Sequence, residues 1–167
     1  MSIKEGEIFT ILGHNGAGKT TAIFMLTGML KTTSGRAVLY GNDVNSNIDL
    51  VQQNLGLCQQ FDVLFEDLTV YEHLKIVCDI KNVQKNRMVA LIQETLSTVM
   101  LTEHSTKKVK ELSGGMKRKL SLAMAIVSKP KVIILDEPTS GLDVESRRQT
   151  WELIKKIKVG RSIIMSS

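Results

Sequence analysis

The sequence predicts an α/β fold built on a parallel sheet, and three observations carry that prediction. Short, β-branched apolar runs alternate with longer segments whose apolar residues recur at helical spacing. One of these runs leads into a glycine-rich segment and another ends in two acids, as strands do where a parallel sheet forms a ligand site. The chain has 167 residues, 43% of them hydrophobic and 23% charged, which fits one domain and excludes collagen-like and wholly disordered chains.

The first two predicted elements flank the glycine-rich segment. Ile8–Leu12 is a short run rich in β-branched residues that Gly13 ends, which is typical of a buried strand. Thr20–Leu30 carries apolar residues every three or four positions from Ile23 and has Gly28 near its end, which predicts a helix. A strand is therefore expected to lead through a tight loop into a helix.

The middle of the chain contains two further candidate strands and a capped helix. Ala37–Tyr40 and Leu55–Cys58 are apolar runs bounded by glycine or polar residues. Thr69 followed by Glu72 forms a capping box, in which each side chain accepts a hydrogen bond from the other residue's backbone. This box predicts a helix that runs to about Ile80.

The last predicted elements are a helix and two strands. Met88–Leu101 has the spacing of an amphipathic helix. Val132–Leu135, with the sequence VIIL, is the clearest buried strand, and Ser162–Met165 is another. Strands that alternate with helices favour parallel pairing.

The order of these elements predicts a helical subdomain inserted into a sheet core. Polar joints at 81–86 and 102–110 mark its internal edges. We place the helical subdomain at about 61–127 and the sheet core at about 1–60 and 128–167, within one domain. No apolar stretch approaches the roughly 18 residues needed to cross a bilayer, so a link to a membrane would run through a partner.

The glycine-rich segment predicts a phosphate-binding loop. Its sequence GHNGAGKT matches the pattern G-x4-G-K-[ST] and lies between a predicted strand and a predicted helix, as the motif requires. The glycines allow a tight turn whose N–H groups cradle anionic oxygens, the lysine reaches the outer phosphates, and the first threonine offers its hydroxyl to Mg²⁺. A glycine-rich turn with a chance lysine is the alternative, which the agreement of spacing and context disfavours. The expected nucleotide-binding residues here are Gly13, Asn15, Gly16, Ala17, Gly18, Lys19, Thr20 and Thr21.

The two acids after Val132–Leu135 supply the second part of this site. Asp136 would hold Mg²⁺, directly or through water, and Glu137 would act as the general base that activates the attacking water. A strand that simply ends in solvated acids is the alternative, and the phosphate loop makes it less plausible. Together the two motifs predict binding of a nucleoside triphosphate with magnesium.

A second anion-binding helix start precedes the acidic strand by about twenty residues. In the segment LSGGM, Ser113 is a good N-cap, and Gly114 and Gly115 expose the first N–H groups of the following helix. Taken locally, this segment could be only a capped helix.

The combination of motifs resembles the nucleotide-binding domain of ABC (ATP-binding cassette) transporters. The resemblance covers nearly all of the chain and rests on GHNGAGKT, the signature LSGGM, IILDEP and the following SGLD. The stretches GLCQQFDVLF, LTVYEHL and SRRQTWEL, and Met116 in place of the usual glutamine, are similar to the eukaryotic A subfamily, whose members mostly move lipids. The family implies a P-loop NTPase-like parallel sheet with an inserted helical subdomain that carries the signature.

The resemblance also implies roles for residues that chemistry alone leaves open. Gln60 would contact Mg²⁺ and the attacking water and relay the nucleotide state to a transmembrane domain. Ser113, Gly114 and Gly115 would bind the γ-phosphate of ATP held by a second nucleotide-binding domain in a head-to-tail pair, and Asp143 would lie in the loop that contacts that partner. The resemblance thus implies an ATPase at the cytoplasmic face of a membrane that powers transport, with lipids as the expected cargo.

Some departures from the family pattern qualify this expectation. Gln59 stands where the subfamily usually has proline, which alters the stiffness of the loop but removes no ligand. The family's adenine-stacking aromatic residue and its switch histidine fall outside 1–167. We therefore expect a domain that is incomplete at both ends and that, in isolation, binds Mg-ATP weakly and hydrolyses it poorly.

The chain has a net charge of +5, and many of its basic residues lie late in the sequence. Eight basic residues late in the chain fit a solvated helix face, or attraction to an anionic leaflet or to ATP; they are Lys107, Lys108, Lys110, Lys117, Arg118, Lys119, Lys129 and Lys131. Only seven residues are aromatic, so specific nucleic-acid binding is disfavoured. The alternatives to a transporter ATPase are a soluble ABC ATPase that acts on ribosomes or DNA and a hydrolysis-deficient nucleotide-binding interaction module.

Overall fold

The computed structural model describes residues 2–14 and 16–167. Within these ranges the elements, in chain order, are β1 Ile8–Ile11, α1 Lys19–Leu26, β2 Val38–Leu39, β3 Asn42–Asp43, α2 Ile48–Gln53, β4 Leu55–Cys58, α3 Val70–Ile80, α4 Lys85–Thr98, α5 Gly114–Ile126, β5 Val132–Leu135, α6 Val144–Ile157 and β6 Ser162–Ser166. Short 3-10 turns at Thr102–His104 and Val109–Glu111 connect α4 to α5.

The main sheet has four parallel strands in the spatial order β1-β6-β5-β4. Ile8 pairs with Ile163 and Val132 pairs with both Leu55 and Ser162, so the strands end together at one edge. Parallel strands need crossover connections, and helices supply them here. The α/β prediction with a parallel sheet is confirmed.

The predicted strand Ala37–Tyr40 lies outside this sheet. Its shorter form β2 pairs antiparallel with β3, through the contact of Leu39 with Asn42. Tyr40 and Gly41 have φ of 48° and 81°, the left-handed conformation of a two-residue hairpin turn. The tight turn returns the chain at once, so this segment forms a ribbon of its own instead of joining the parallel sheet.

Helix α1 ends four residues earlier than the sequence predicts. The helix ends at Leu26 instead of Leu30, and Gly28 follows with φ of 76°. The Met29 N–H donates to the Phe24 carbonyl at 2.9 Å, which is the closing bond of a Schellman motif. Gly28 therefore ends helix α1 at Leu26, although the apolar spacing alone predicted that the helix continues to Leu30.

Helix α4 is displaced by three residues from the predicted Met88–Leu101. It spans Lys85–Thr98, and Met100 adopts the left-handed conformation with φ of 58°. The Leu101 N–H donates to the Leu96 carbonyl at 2.9 Å, so the helix closes with the same motif without a glycine. No residue-type signal marks this end, because methionine rarely occupies that position.

Two helices, α2 and α6, were not predicted from the sequence. Helix α6 begins after Asp143, whose side chain accepts a hydrogen bond from the N–H of Ser146 at 2.9 Å. It buries Leu153, Ile154 and Ile157. An N-cap followed by apolar residues at helical spacing was present in the sequence and is the signal that would have found it.

Hydrophobic clusters cover both faces of the sheet. One cluster joins Leu74 of α3 and Leu120 of α5 to Ile133 of β5, and the other joins Ile23 of α1 to Ile134. Neighbouring residues of a strand point to opposite faces, so β5 contributes to both clusters. The helices between β4 and β5 thus share their core with the sheet, and the boundaries of a helical subdomain at 61–127 stay a prediction. No helix in the described ranges is both long and apolar enough to cross a bilayer.

Candidate active site

The loop between β1 and α1 forms a backbone cradle. Gly16 and Gly18 have φ of 84° and 89°, a conformation that glycine adopts without strain. A Cβ on Gly13 would lie 3.1 Å from the Cβ of Ala17, so the loop also packs closely across itself. Because Gly18 has no side chain and directly precedes α1, the first N–H groups of that helix are open to an anion. Asn15, the remaining expected residue of this loop, lies outside the described residues.

Lys19 crosses the mouth of this cradle. Its Nζ donates to the carbonyl of Gly13 at 2.7 Å and to that of His14 at 3.4 Å, and it lies 3.5 Å from Oε1 of Glu137. Only 8% of the residue is exposed. A desolvated ammonium held mainly by neutral carbonyls is a strong attractor for a phosphate oxygen.

Asp136 links the phosphate loop to the end of β5. Its Oδ2 accepts a hydrogen bond from the Thr20 hydroxyl at 3.0 Å, and its Oδ1 accepts one from the Ser166 hydroxyl at 2.5 Å. The Ser166 oxygen also accepts the N–H of Glu137 at 2.9 Å. Sequence reasoning did not single out Ser166. The pairing of Leu135 with Met165 places it beside Asp136, and only this register reveals it.

Glu137 and Gln60 face each other across the cleft. Nε2 of Gln60 donates to Oε2 of Glu137 at 2.9 Å. The backbone of Glu137 has φ of 42°, an uncommon conformation for a residue with a side chain and one found repeatedly at active sites. The structure thus brings together a candidate base and the glutamine that was selected through the family resemblance.

Two adjoining clefts open along these residues. One of about 620 Å³ is lined by Gly13, His14, Lys19, Glu137, Thr139, Met165, Ser166 and Ser167. The other, of about 400 Å³, is lined by His14, Gly16, Gly18, Lys19, Thr20, Thr21, Gln60 and Glu137. His14, Lys19 and Glu137 line both clefts, so the clefts adjoin, and each has a volume in the range of ligand sites.

Oxygen donors at and beside these clefts suit magnesium. The Thr20 hydroxyl, the Asp136 carboxylate and the Gln60 amide are hard oxygen ligands, which Mg²⁺ prefers. Mg²⁺ in nucleotide sites takes few protein ligands and completes its shell with phosphate and water. These three side chains could therefore hold the ion beside a nucleotide.

The signature residues form a second group at the start of α5. The Ser113 hydroxyl accepts the Met116 N–H at 3.3 Å, which confirms the predicted N-cap. Ser113 and Gly114 are exposed, and a Cβ on Gly115 would lie 2.9 Å from the hydroxyl of Ser146. Within the described chain, the linings of the two clefts exclude all three signature residues. One chain thus presents two separate helix starts to anions.

Asp143 belongs to this second group, beside the signature. Hydrogen bonds from the Ser146 hydroxyl and the Ser146 N–H hold the pKa of Asp143 below its usual value of 3.8. Ser146 also lies beside Gly115. The Asp143 carboxylate therefore holds the N-terminal end of α6 next to the signature. Its contact with a partner domain stays a prediction.

Asp143→Asn is expected to destabilise the chain in a pH-dependent way. The lowered pKa means that the folded state favours the carboxylate, so this stabilisation is present above pH 3.8 and is lost as the pH falls through the lower folded pKa. Melting temperatures measured from neutral pH to about pH 2 should therefore show the gap between wild type and variant closing in acid. A gap that stays constant with pH would contradict the assignment.

Arg118 is the one basic residue of the late run for which the prediction of a solvated face is wrong. The residue is 3% exposed, and its guanidinium contacts the loops that carry Gln60 and Glu137. The basic run gave no signal of this burial. A helical position faces solvent or protein according to what packs against the helix, which residue type alone does not reveal.

Comparison with known proteins decides the family. A family model described as ABC transporter matches residues 1–140. The chain belongs to the ABC transporter family. This membership and the α/β architecture confirm the resemblance that the motifs indicated.

Curated relatives of this ABC family chain include members of the A subfamily. Human "Phospholipid-transporting ATPase ABCA3" is 41% identical over 167 residues, which are 100% of this chain and 10% of that protein. Rat "ATP-binding cassette sub-family A member 2" is 43% identical over the same length, 7% of that protein. Mouse "Retinal-specific phospholipid-transporting ATPase ABCA4" is 45% identical over 163 residues, 98% of this chain and 7% of that protein. The chain thus spans a tenth or less of the length of these relatives.

A solved structure agrees with the ABC family fold. CbiO1 of Clostridium perfringens, described as part of the ABC transporter complex cbiONQ, superposes with a TM-score of 0.90 at 29% sequence identity. The match covers 100% of this chain and 69% of that one. An ATP-binding subunit of another ABC transporter superposes with a TM-score of 0.86 at 25% identity.

Proposed function

We propose that this ABC family chain binds Mg-ATP and hydrolyses it to drive transport across a membrane, with lipids as the cargo. The observation that carries the proposal is that the phosphate loop, Gln60 and Glu137 line two adjoining clefts, with Asp136 bonded to Thr20 of that loop. The hydrogen bond from Thr20 joins the phosphate loop to Asp136, and the hydrogen bond from Gln60 joins the loop after β4 to Glu137. These residue types in this arrangement serve phosphoryl transfer to water and fit few other reactions.

The residues divide the chemistry of hydrolysis between them. The loop N–H groups and Lys19 bind the phosphates, and Mg²⁺ at Thr20 and Asp136 supplies neutralisation of phosphate charge when it is bound. Glu137 takes the proton from the attacking water, and Gln60 orients that water because its amide already lies against the Glu137 carboxylate. Asp136 is engaged on both oxygens, which keeps its carboxylate in place near the loop.

A second copy of such a domain is the proposed partner for the signature. Ser113, Gly114 and Gly115 present open helix N–H groups away from the chain's own cleft, where they suit the γ-phosphate of ATP held by a facing domain. Gly115 and the Asp143 cap lie together, so they form one surface on which a partner could dock. ATP would then bind between two domains arranged head to tail.

The segment after Gln60 is the proposed contact with a transmembrane domain. Phe61, Val63 and Phe65 are 78%, 65% and 62% exposed, which is high for three apolar side chains in one short segment. Their position directly after Gln60 would connect the nucleotide site with whatever covers them. This arrangement supports action at the cytoplasmic face of a membrane. The names of the A-subfamily relatives, two of them phospholipid-transporting ATPases, support a lipid as the transported molecule.

Single-turnover hydrolysis tests the proposal directly. The chain, in excess over radiolabelled ATP and with Mg²⁺ present, should release phosphate, and chelation of the metal should stop the release. Protein in excess reveals even one slow round of hydrolysis. Binding without release would instead support the nucleotide-dependent interaction module, and failure to bind Mg-ATP would contradict the proposal altogether.

Lys19→Met is expected to weaken ATP binding about 10- to 100-fold. The substitution keeps the apolar stem but removes the ammonium, and a hydrogen bond to a charged group contributes about 1.5–3 kcal/mol. Equilibrium dialysis of Mg-ATP would measure the change in Kd. Lys31→Met is the matched control, since Lys31 is exposed and lies outside both cleft linings. An unchanged Kd in Lys19→Met would place the phosphates elsewhere.

A further inference from the structure

Arg118 is a buried cation on the second turn of α5. Its Nε donates to the Pro138 carbonyl at 2.8 Å, and its Nη2 donates to the carbonyls of Asp136 at 3.4 Å and Glu137 at 3.2 Å. Three of its acceptors therefore lie in the segment that follows β5. This segment carries the metal-binding acid and the candidate base.

The other side of the guanidinium holds the loop that follows β4. Nη1 donates to the carbonyls of Gln59 at 2.7 Å and Gln60 at 3.3 Å, and it forms an ion pair with Asp62 at 3.1 Å. The Ser121 hydroxyl donates to the same Asp62 oxygen at 2.8 Å, so two side chains of α5 bind this loop. The planar guanidinium thus bridges the loop after β4 (the glutamine loop, 59–62), the segment after β5 (the acid segment, 136–138) and helix α5 (the signature helix).

These contacts act on backbone that has left the sheet. Strands β4 and β5 pair up to Cys58 and Leu135, and one more backbone bond runs from the Asp136 N–H to the Cys58 carbonyl. Beyond it, no backbone bond between the two segments sets their spacing among the described residues. The Arg118 side chain sets this spacing, because its rigid fork of donors binds both segments at once. The 2.9 Å bond between Gln60 and Glu137 lies across the gap that the guanidinium spans.

We propose that Arg118 is a positioning residue that sets the spacing of Gln60 and Glu137 and ties both to the signature helix. The inference rests on the proposed ATPase function and extends it to a residue outside the nucleotide clefts. Loss of the bridge should slow hydrolysis and leave nucleotide affinity nearly intact, because the phosphate contacts of Lys19 and the loop N–H groups do not involve Arg118. A purely structural role would lower stability without this separation.

Arg118→Lys is the decisive variant. A lysine at this position keeps the charge near Asp62, but one ammonium cannot donate to both loops as the fork does. Single-turnover hydrolysis should fall about 10- to 100-fold, the effect expected of small displacements of reacting groups, while the Kd of Mg-ATP changes by less than about threefold. Arg118→Met should show the same loss of rate together with a lower melting temperature.

Hydrogen exchange keeps the test independent of turnover. The amide of Asp136 donates to the Cys58 carbonyl and that of Glu137 to Ser166, so both report on the acid segment. In Arg118→Lys these amides should exchange faster than in wild type, while exchange within β1 and α1 stays unchanged. This holds even if the wild-type chain proves unable to hydrolyse ATP, so a failure of the proposed function is distinguishable from a failure of this inference.

The matched control is Lys119→Met, a loss of one cation at the neighbouring, partly exposed position of the same helix. It should leave the exchange of the Asp136 and Glu137 amides and the rate of hydrolysis at wild-type values. Wild-type exchange of these amides in Arg118→Lys would overturn the proposal. So would a wild-type rate of hydrolysis in that variant, because charge without the fork would then suffice.

Discussion

Glu137→Gln is expected to lower the rate of ATP hydrolysis about 100- to 10,000-fold, the contribution of a positioned general base. The amide has nearly the shape of the carboxylate and can still accept the hydrogen bond from Gln60. It cannot take a proton from water at neutral pH. Lys19 loses its 3.5 Å ion pair with Glu137 but keeps its bonds to the carbonyls of Gly13 and His14, and the phosphate loop is unchanged. Mg-ATP should therefore bind with an affinity close to that of wild type.

Three measurements on the Glu137→Gln chain separate the roles of this residue. Single-turnover phosphate release reports the chemical step, equilibrium dialysis reports binding, and sedimentation with ATP reports pairing of two chains. We expect release to vanish while binding and pairing persist, since the bound triphosphate is no longer consumed. Glu152→Gln, the same change at an exposed position of α6, should behave as wild type in all three. If release survived in Glu137→Gln, another group would be the base.

Gly56→Ala is expected to destabilise the fold by about 3 kcal/mol or more, the upper end of the range for overpacked cores. A Cβ at this position of β4 would lie 1.9 Å from the carbonyl oxygen of Ala125 and 3.0 Å from Cγ of Pro130. The first neighbour is helix backbone and cannot rotate away. The methyl group must therefore push α5 off the sheet or break the pairing of Gly56 with Ile133.

Urea unfolding followed by circular dichroism would measure this loss. The matched control is Gly114→Ala, where an added Cβ meets nothing within 4 Å among the described residues and the backbone φ is ordinary. We expect the midpoint of Gly56→Ala to fall sharply, or the variant to fail to fold, while that of Gly114→Ala stays near wild type. Equal midpoints for Gly56→Ala and wild type would show that α5 can move without loss of packing.

Elements with strong local signals were predicted well. Leu55–Cys58 and Val132–Leu135 have the predicted bounds, and the capping box of Thr69 and Glu72 opens α3 as expected. A strand of continuous apolar residues and a pair of capping side chains are properties of a few neighbouring residues. The early end of α1 and the shift of α4 were missed because helix ends depend on single left-handed residues. Such residues can be glycine, as at Gly28, or methionine, as at Met100.

In the candidate site, too, the residues with a local sequence signal could be predicted and the others could not. The phosphate loop could be predicted because its glycines, lysine and threonine must be adjacent for one backbone to wrap a phosphate. The acids were found because they end an apolar strand. The helix start at Ser113 was predicted from its capping pattern, whereas its role as a signature and the role of Gln60 came through the family resemblance. Ser166 was not singled out, and Arg118 was assigned only to a solvated basic face. The signals for these last two lie in strand register and in the packing of α5, which no local pattern encodes.

By itself, the sequence determined the α/β class and the ABC family of this chain, and it predicted the phosphate loop and the acid pair. The tertiary structure decided which of these groups touch. It brings Thr20 to Asp136 across 116 residues and Gln60 to Glu137 across 77, and it buries Arg118 between the two loops. The physical reason is that local conformation depends on neighbouring residues, whereas contacts between distant residues depend on how every strand and helix packs at once.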